Sequence, residues 1–263
     1  MKRYFVILMA ILAAAMCSCG KESGGGEEGG GGSDASNTYF SVSANTKVQF
    51  APGNLAYDRD GGYSFVSTLL MGNTFCWGTG DRPLYKSDDV DFNEFKSFVD
   101  WGDYVTIDGG GWRTLTRAEW GYLRDYRKNA DKLLAGATVC ERWGCLLLPD
   151  NWKTPKGMTI KLYNGDTTSF EDNKFTQEDW DKLAAAGAVF LPYFETKEKD
   201  RWGDDSYEIN GEYHSSSNYE YAGMVINYSA CTVRVGEHAG LLQWNLQRLR
   251  CNRAAVRLVR DVK

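Results

Sequence analysis

The sequence predicts an α+β domain, and three observations carry that prediction. Two segments repeat one pattern, Thr-x-x-acid-Trp-x-x-Leu, which reads as an amphipathic helix opened by a capping box. Each is followed by a short apolar run that ends in proline. Alternating apolar residues stand at both ends of the domain, as half-buried strands require. A hairpin, two helices and short strands joined by long loops make an α+β arrangement rather than a repeated strand–helix–strand one.

Taken in order, residues 1–18 read as a signal, not as a fold element. Lys2 and Arg3 form a positive start, and the apolar run over 4–16 is too short to span a bilayer. It ends in Met16-Cys17-Ser18-Cys19-Gly20 with no small-x-small cleavage site. The stretch resembles a bacterial lipobox, and Ser18 fits the small position before Cys19 better than Met16 fits it before Cys17. The expected mature N-terminus is therefore a lipidated Cys19. Residues 19–37, running on as GKESGGGEEGGGGSDASN, hold no large apolar residue to offset the entropy of ordering, and read as a flexible tether. The Glu27-Glu28 pair and the earlier Lys21-Glu22 resemble acidic lipoprotein export signals, which imply exposure on the outer face of an outer membrane.

Residues 38–263 are expected to form one domain, with 43% hydrophobic and 14% aromatic residues in the chain to build its core. A net charge of −5 argues against a general nucleic-acid binder. Phe40, Val42, Val48 and Phe50 alternate around an Ala44-Asn45-Thr46 turn and predict a β-hairpin. Residues 63–70 are expected to continue that sheet, and 72–111 to be mostly loop. In TRAEWGYL and TQEDWDKL, Thr116 and Thr176 are the caps, with Glu119 and Asp179 reaching back to them. Trp120 and Leu123, and Trp180 and Leu183, then share a helical face. Gly187 fits the position just past the second helix. GCLLLP and GAVFLP are the following strands. Ala222, Met224, Ile226 and Tyr228 predict a half-buried strand. Val256 and Leu258 predict a closing strand, with Arg257 on its other face, and the ends of the domain are expected to pair.

Five cysteines follow Cys19, an odd number that argues against a complete disulfide framework. Cys140 and Cys145 either close a small loop or are buried thiols. Neither His-x-x-x-His nor Cys-x-x-Cys metal spacing occurs, and there is no Gly-x-Ser-x-Gly elbow or P-loop. His214 and His238 stand apart in sequence. Asp89, Asp91, Asn93 and Asp100 are spaced like a calcium loop, but Glu94 occupies the position that needs glycine. No metal, cofactor or catalytic residue is therefore expected.

The stretch GEYHSSSNYEYAGMVINYSA, 211–230, is the candidate binding surface. Tyrosine gives rigid amphipathic contact area, while Ser, Gly and Asn give adaptable hydrogen bonding. Trp and Arg further along are hot-spot residue types. The candidate ligand contacts are Tyr213, His214, Asn218, Tyr219, Tyr221, Trp244, Arg248 and Arg250, on a face built from 211–221 and 233–252. The bland alternative makes the tyrosines loop anchors and pairs the arginines with nearby carboxylates.

VQFAPGNLAY (48–57), WRTLTRAEW (112–120), LLLPDNW (146–152), AAGAVFLP (185–192) and AVRLVR (255–260) occur in that order. Together they resemble a family of Bacteroidetes surface lipoproteins related to the Fibrobacter succinogenes major paralogous domain. That resemblance implies a C-type lectin-like fold of the formylglycine-generating-enzyme branch. The family's GYYWSST stretch reads GEYHSSS here, with His214 where Trp is expected. Similar domains serve as variable targets of diversity-generating retroelements, with the variable residues in this C-terminal segment. The Glu-Pro-Asn and Trp-Asn-Asp triplets of calcium-dependent sugar-binding lectins are missing, and so is the closely spaced cysteine pair of the formylglycine-generating enzymes; Cys251 and Cys231 lie far apart. The resulting expectation is a surface-anchored, non-catalytic lipoprotein that binds a protein or glycan, touches the membrane through its N-terminal lipid and does not bind nucleic acid. The rivals are a structural subunit of a surface appendage, with the Phe40/Phe50 hairpin as its free edge, and a formylglycine-generating-type enzyme.

Overall fold

A computed structural model describes residues 38–84, 97–164, 169–193, 195–199, 205–209, 211–236 and 241–262. Cys19, the signal segment and the tether lie outside the described residues, as do His238 and all but Asp100 of the calcium-like spacing. Ser33–Lys263 form one compact unit.

The chain begins with a hairpin of β1 (Phe40–Ser41) and β2 (Lys47–Phe50), with Phe40 opposite Val48, as its alternation predicts. A second hairpin, β3 (Leu55–Asp58) and β4 (Gly62–Phe65), pairs only with itself and does not continue the first sheet as expected. The Asp58 carboxylate accepts from the amides of Asp60 and Gly61 and holds its turn. Then come β5 (Thr74–Phe75), β6 (Trp112–Thr114), helix α1 (Arg117–Gly121), β7 (Leu134–Val139) and β8 (Arg142–Leu147). β9 (Lys174–Phe175), helix α2 (Gln177–Ala185), β10 (Val189–Pro192), β11 (Glu195–Lys199) and β12 (Asp205–Ile209) follow. The C-terminal region holds β13 (Glu212–Tyr221), β14 (Met224–Val235), β15 (Leu242–Leu249), β16 (Ala254–Ala255) and β17 (Leu258–Asp261). The architecture is α+β.

Both capping boxes form. Thr116 Oγ1 accepts from the Glu119 amide at 3.2 Å, and Glu119 Oε2 accepts from the Thr116 amide at 2.8 Å. The shorter Asp179 closes the second box equally well, with Thr176 N to its Oδ2 at 3.1 Å. Gly187 takes φ +93°, the left-handed conformation that ends α2. α1 runs on into a π-helical turn, Tyr122–Tyr126, closed by the Arg127 amide on the Tyr122 carbonyl.

Three sheets carry the domain. In the order β1-β2-β17-β6, the first joins the two ends of the domain, with Val259 opposite Phe50 and Leu258 opposite Thr114. The closing strand is thus shifted from its expected place: 254–255 belong to a different sheet, and Arg257 lies between the two strands and is buried. The second sheet, β10-β8-β7-β9, brings the two apolar, proline-ended runs side by side, Phe190 opposite Leu146. The third runs β15-β14-β13-β16-β5. One core cluster lies among all three and includes Val48, Trp120, Leu147, Tyr213, Val233 and Val259. A second packs Trp180 and Leu183 of α2 on Leu146 and Phe190. A third surrounds Trp101, with Phe75, Trp112 and Leu258.

Candidate functional site

The candidate stretch does not fold as one surface. β13 and β14 form a long antiparallel hairpin whose first half is packed into the domain and whose second half leads out of it. The expected strand through Met224, Ile226 and Tyr228 forms as part of β14, but Ala222, its expected first residue, and Gly223 make the hairpin's turn. Ala222 (φ 51°) and Gly223 (φ 79°) both take left-handed conformations, as a two-residue type I′ connection demands.

At the inner half the aromatic and polar residues are core. Tyr213 is fully buried; its hydroxyl donates to the Pro192 carbonyl at 3.0 Å and accepts from Asn54 Nδ2 at 3.4 Å. Burial pushes its pKa well up. His214 is buried and stacks on Trp101, with ring centroids 5.4 Å apart and planes at 18°. Its Nε2 lies 2.6 Å from the Phe75 carbonyl, so that nitrogen carries the proton, and Nδ1 has no partner. Desolvation holds the ring neutral and lowers its pKa to about 4. Both side chains are thus buried and make their contacts inside the domain, not on the exposed face expected for them.

Glu212 explains two of the arginines. Its nearly buried carboxylate accepts from Arg234 Nη2 at 2.7 Å and from Arg248 Nε at 2.9 Å. Arg248 therefore clamps the edge strand β15 across β14 to β13. Arg250 is buried, its guanidinium 4.6 Å above the Trp77 ring, and it donates to Asn218 Oδ1. Trp77 in turn donates from Nε1 to the Ser215 carbonyl at 2.9 Å. Burial lowers the Arg250 pKa. Arg250 is thus a scaffold residue, and Arg248 and Asn218 spend their polar atoms inside the protein. Trp244 docks β15 on α1: its ring covers Gly121, where a Cβ would meet it at 3.1 Å, and Nε1 donates to Asp125 Oδ2 at 2.7 Å. Arg248 pairs with a carboxylate, as the bland alternative had it, whereas Arg250 is held by an amide oxygen and an aromatic ring.

What remains outward is the far end of the hairpin. Tyr221 is 67% exposed and Met224, its cross-strand partner, 64%. Tyr219 is half-buried beside them, and Leu249 is exposed on β15. Ser217 fixes the base of this projection, its hydroxyl accepting from the Arg117 amide at 3.0 Å. The sequence reading missed Met224, which a turn at Ala222-Gly223 would have exposed. It also missed the exposed rings of Tyr126 and Trp143.

The thiols are not poised for chemistry. All five described cysteines are free, which rejects the closed Cys140–Cys145 loop: Cys140 lies in the β7–β8 turn and bonds to Gln177, while Cys145 faces the core. Cys231 and Cys251 do not pair either. Cys231 contacts Asn245, and Cys251 packs on Cys76. Desolvation raises every one of these thiols, Cys76 and Cys231 to about 11, the opposite of an activated thiolate. Asp100, the described end of the calcium-like spacing, caps a 3-10 turn and accepts from Thr114 N at 2.9 Å and Thr114 Oγ1 at 2.8 Å. Among the described residues no group of three or more His, Cys, Asp or Glu could hold a metal ion, and no helix is long and apolar enough to cross a membrane.

No protein-family model matches the chain, and neither a curated protein nor a solved structure matches it.

Proposed function

We propose that the chain is a surface-tethered, non-catalytic binding lipoprotein with a C-type lectin-like domain, which grips a protein or glycan with the outer end of the β13–β14 hairpin. One observation carries the reading: Tyr221 and Met224 face each other across a rigid two-residue turn with about two thirds of each exposed. An aromatic and an adaptable thioether on a fixed turn are residue types of recognition surfaces. Tyr219 and the β15 edge extend that patch, and the Glu212–Arg248 clamp holds β15 in place beneath it. The proposed anchorage rests on the lipobox-like stretch at Cys19 and the glycine-rich tether, which support a position outside the cell.

The subunit reading has less support, because β1 is only two residues long and the Ser41 amide already donates to Asp150 Oδ2 at 3.1 Å. The enzyme reading lacks a poised thiol pair. The test is a screen of residues 33–263, the compact unit, against glycan and protein arrays beside a Tyr219→Ala/Tyr221→Ala/Met224→Ala variant. Specific binding that disappears in the folded variant upholds the reading. Binding that survives places the site elsewhere, and a wild-type domain that polymerises but binds nothing favours the subunit.

A further inference from the structure

Among the described residues Arg257 has no charged partner. It is 2% exposed, yet among the described residues its guanidinium makes only two hydrogen bonds, both long and both to neutral oxygens: Nη1 to Asn54 Oδ1 at 3.2 Å and Nη2 to Thr68 Oγ1 at 3.5 Å. Its Nε is buried and unpartnered. Arg127, also deeply buried, shows what is missing: it donates to two backbone carbonyls and is neutralised by Asp150 at 3.1 Å. Leaving a guanidinium dry without a counter-charge is costly, and desolvation lowers the Arg257 pKa to about 10.

Arg257 also lines a cavity of about 510 Å³ between the first sheet and α2, the size of a small-molecule site. Phe50, Trp180 and Val189 give it apolar walls, Thr68 and Gln49 are polar points, and the exposed Ala184 stands at its mouth. No lysine or second arginine, and no acid, is among the lining residues. One fixed cation with spare N–H donors matches a planar monoanion better than a phosphate dianion. An apolar body would fill the remaining space.

We propose that this cavity is a second binding site, for a small organic carboxylate with an apolar body, whose carboxylate pairs with Arg257 and whose body lies against Phe50 and Trp180. The site is separate from the hairpin end and stands or falls independently of it.

The experiment titrates the full chain with 3-phenylpropanoate and, as a neutral match, 3-phenylpropanamide, read by saturation-transfer NMR and thermal shift. The expected result is saturable binding of the acid, at least ~tenfold weaker binding of the amide, and a similar loss in Arg257→Gln, the cost of one charge-assisted contact. Ala184→Trp, an exposed helix position that narrows the mouth, supplies the same loss without touching the buried network, and decides the matter if Arg257→Gln does not fold. Tyr221→Ala should leave acid binding unchanged. No saturable binding, equal binding of acid and amide, or full binding by Ala184→Trp would each overturn the proposal.

Discussion

The two ends of β13 use the same residue types for opposite purposes. At the inner end Glu212, Tyr213, His214 and Ser215 are all buried; at the outer end Tyr219, Glu220 and Tyr221 progress from half-buried to exposed. The inner tyrosine is anchored by the Pro192 carbonyl and Asn54, and the inner glutamate by Arg234 and Arg248. The outer pair has left the layers that bury the inner one: past the strand's midpoint, β13 no longer runs alongside β16 and the core beneath it. A tyrosine-rich strand therefore serves as scaffold or recognition surface according to how far it has emerged, not according to its composition.

Substitutions at matched positions sharpen that contrast. Tyr213→Ala should lose about 3–5 kcal/mol of stability, the range for deleting a large buried ring, measured by urea unfolding. His214 gives an effect of similar size through pH. Its folded pKa of about 4 lies below the unfolded value of 6.5, so the unfolded chain takes up the proton first. Its contribution is fully present above pH 6.5 and is lost as pH falls toward 4, about 3 kcal/mol in all. His214→Phe should flatten that acid limb, and a limb of unchanged depth would refute the assignment. Glu212→Ala strands two guanidinium groups and should cost about 2–3 kcal/mol, less than a fully buried pair because both arginines keep some exposure. Ala222→Gly should raise stability by about 1 kcal/mol, since alanine is strained at φ 51°. Tyr221→Ala should move stability by less than about 0.5 kcal/mol.

Local patterns were the legible part of this molecule. Both capping boxes, the Phe40/Val48 pairing, Gly187 and the pairing of the domain's ends depend on residues whose neighbours in sequence are also their partners, or on alternation that survives in any context. The site was less legible because its contacts are long-range. Arg248 meets Glu212 36 residues away, and His214 meets the Phe75 carbonyl 139 away. No spacing announces either contact. The hairpin turn was hidden for a different reason: Ala-Gly lacks the Asn or Asp that normally marks a type I′ turn, so the alternation around it read as one strand. Strict alternation puts Arg257 on the opposite face of a strand from Val256 and Leu258, but the break between β16 and β17 takes 256–257 out of the strand, and all three are buried.

The most direct test of the division within β13 is a crossed measurement on Tyr213→Ala and Tyr221→Ala, following both Tm and binding in the array screen. A Tm drop confined to the Tyr213 variant, and lost binding at unchanged Tm in the Tyr221 variant, is the predicted outcome. A Tyr221 variant that binds like the wild type, or a Tyr213 variant that loses binding while keeping its Tm, would contradict the account.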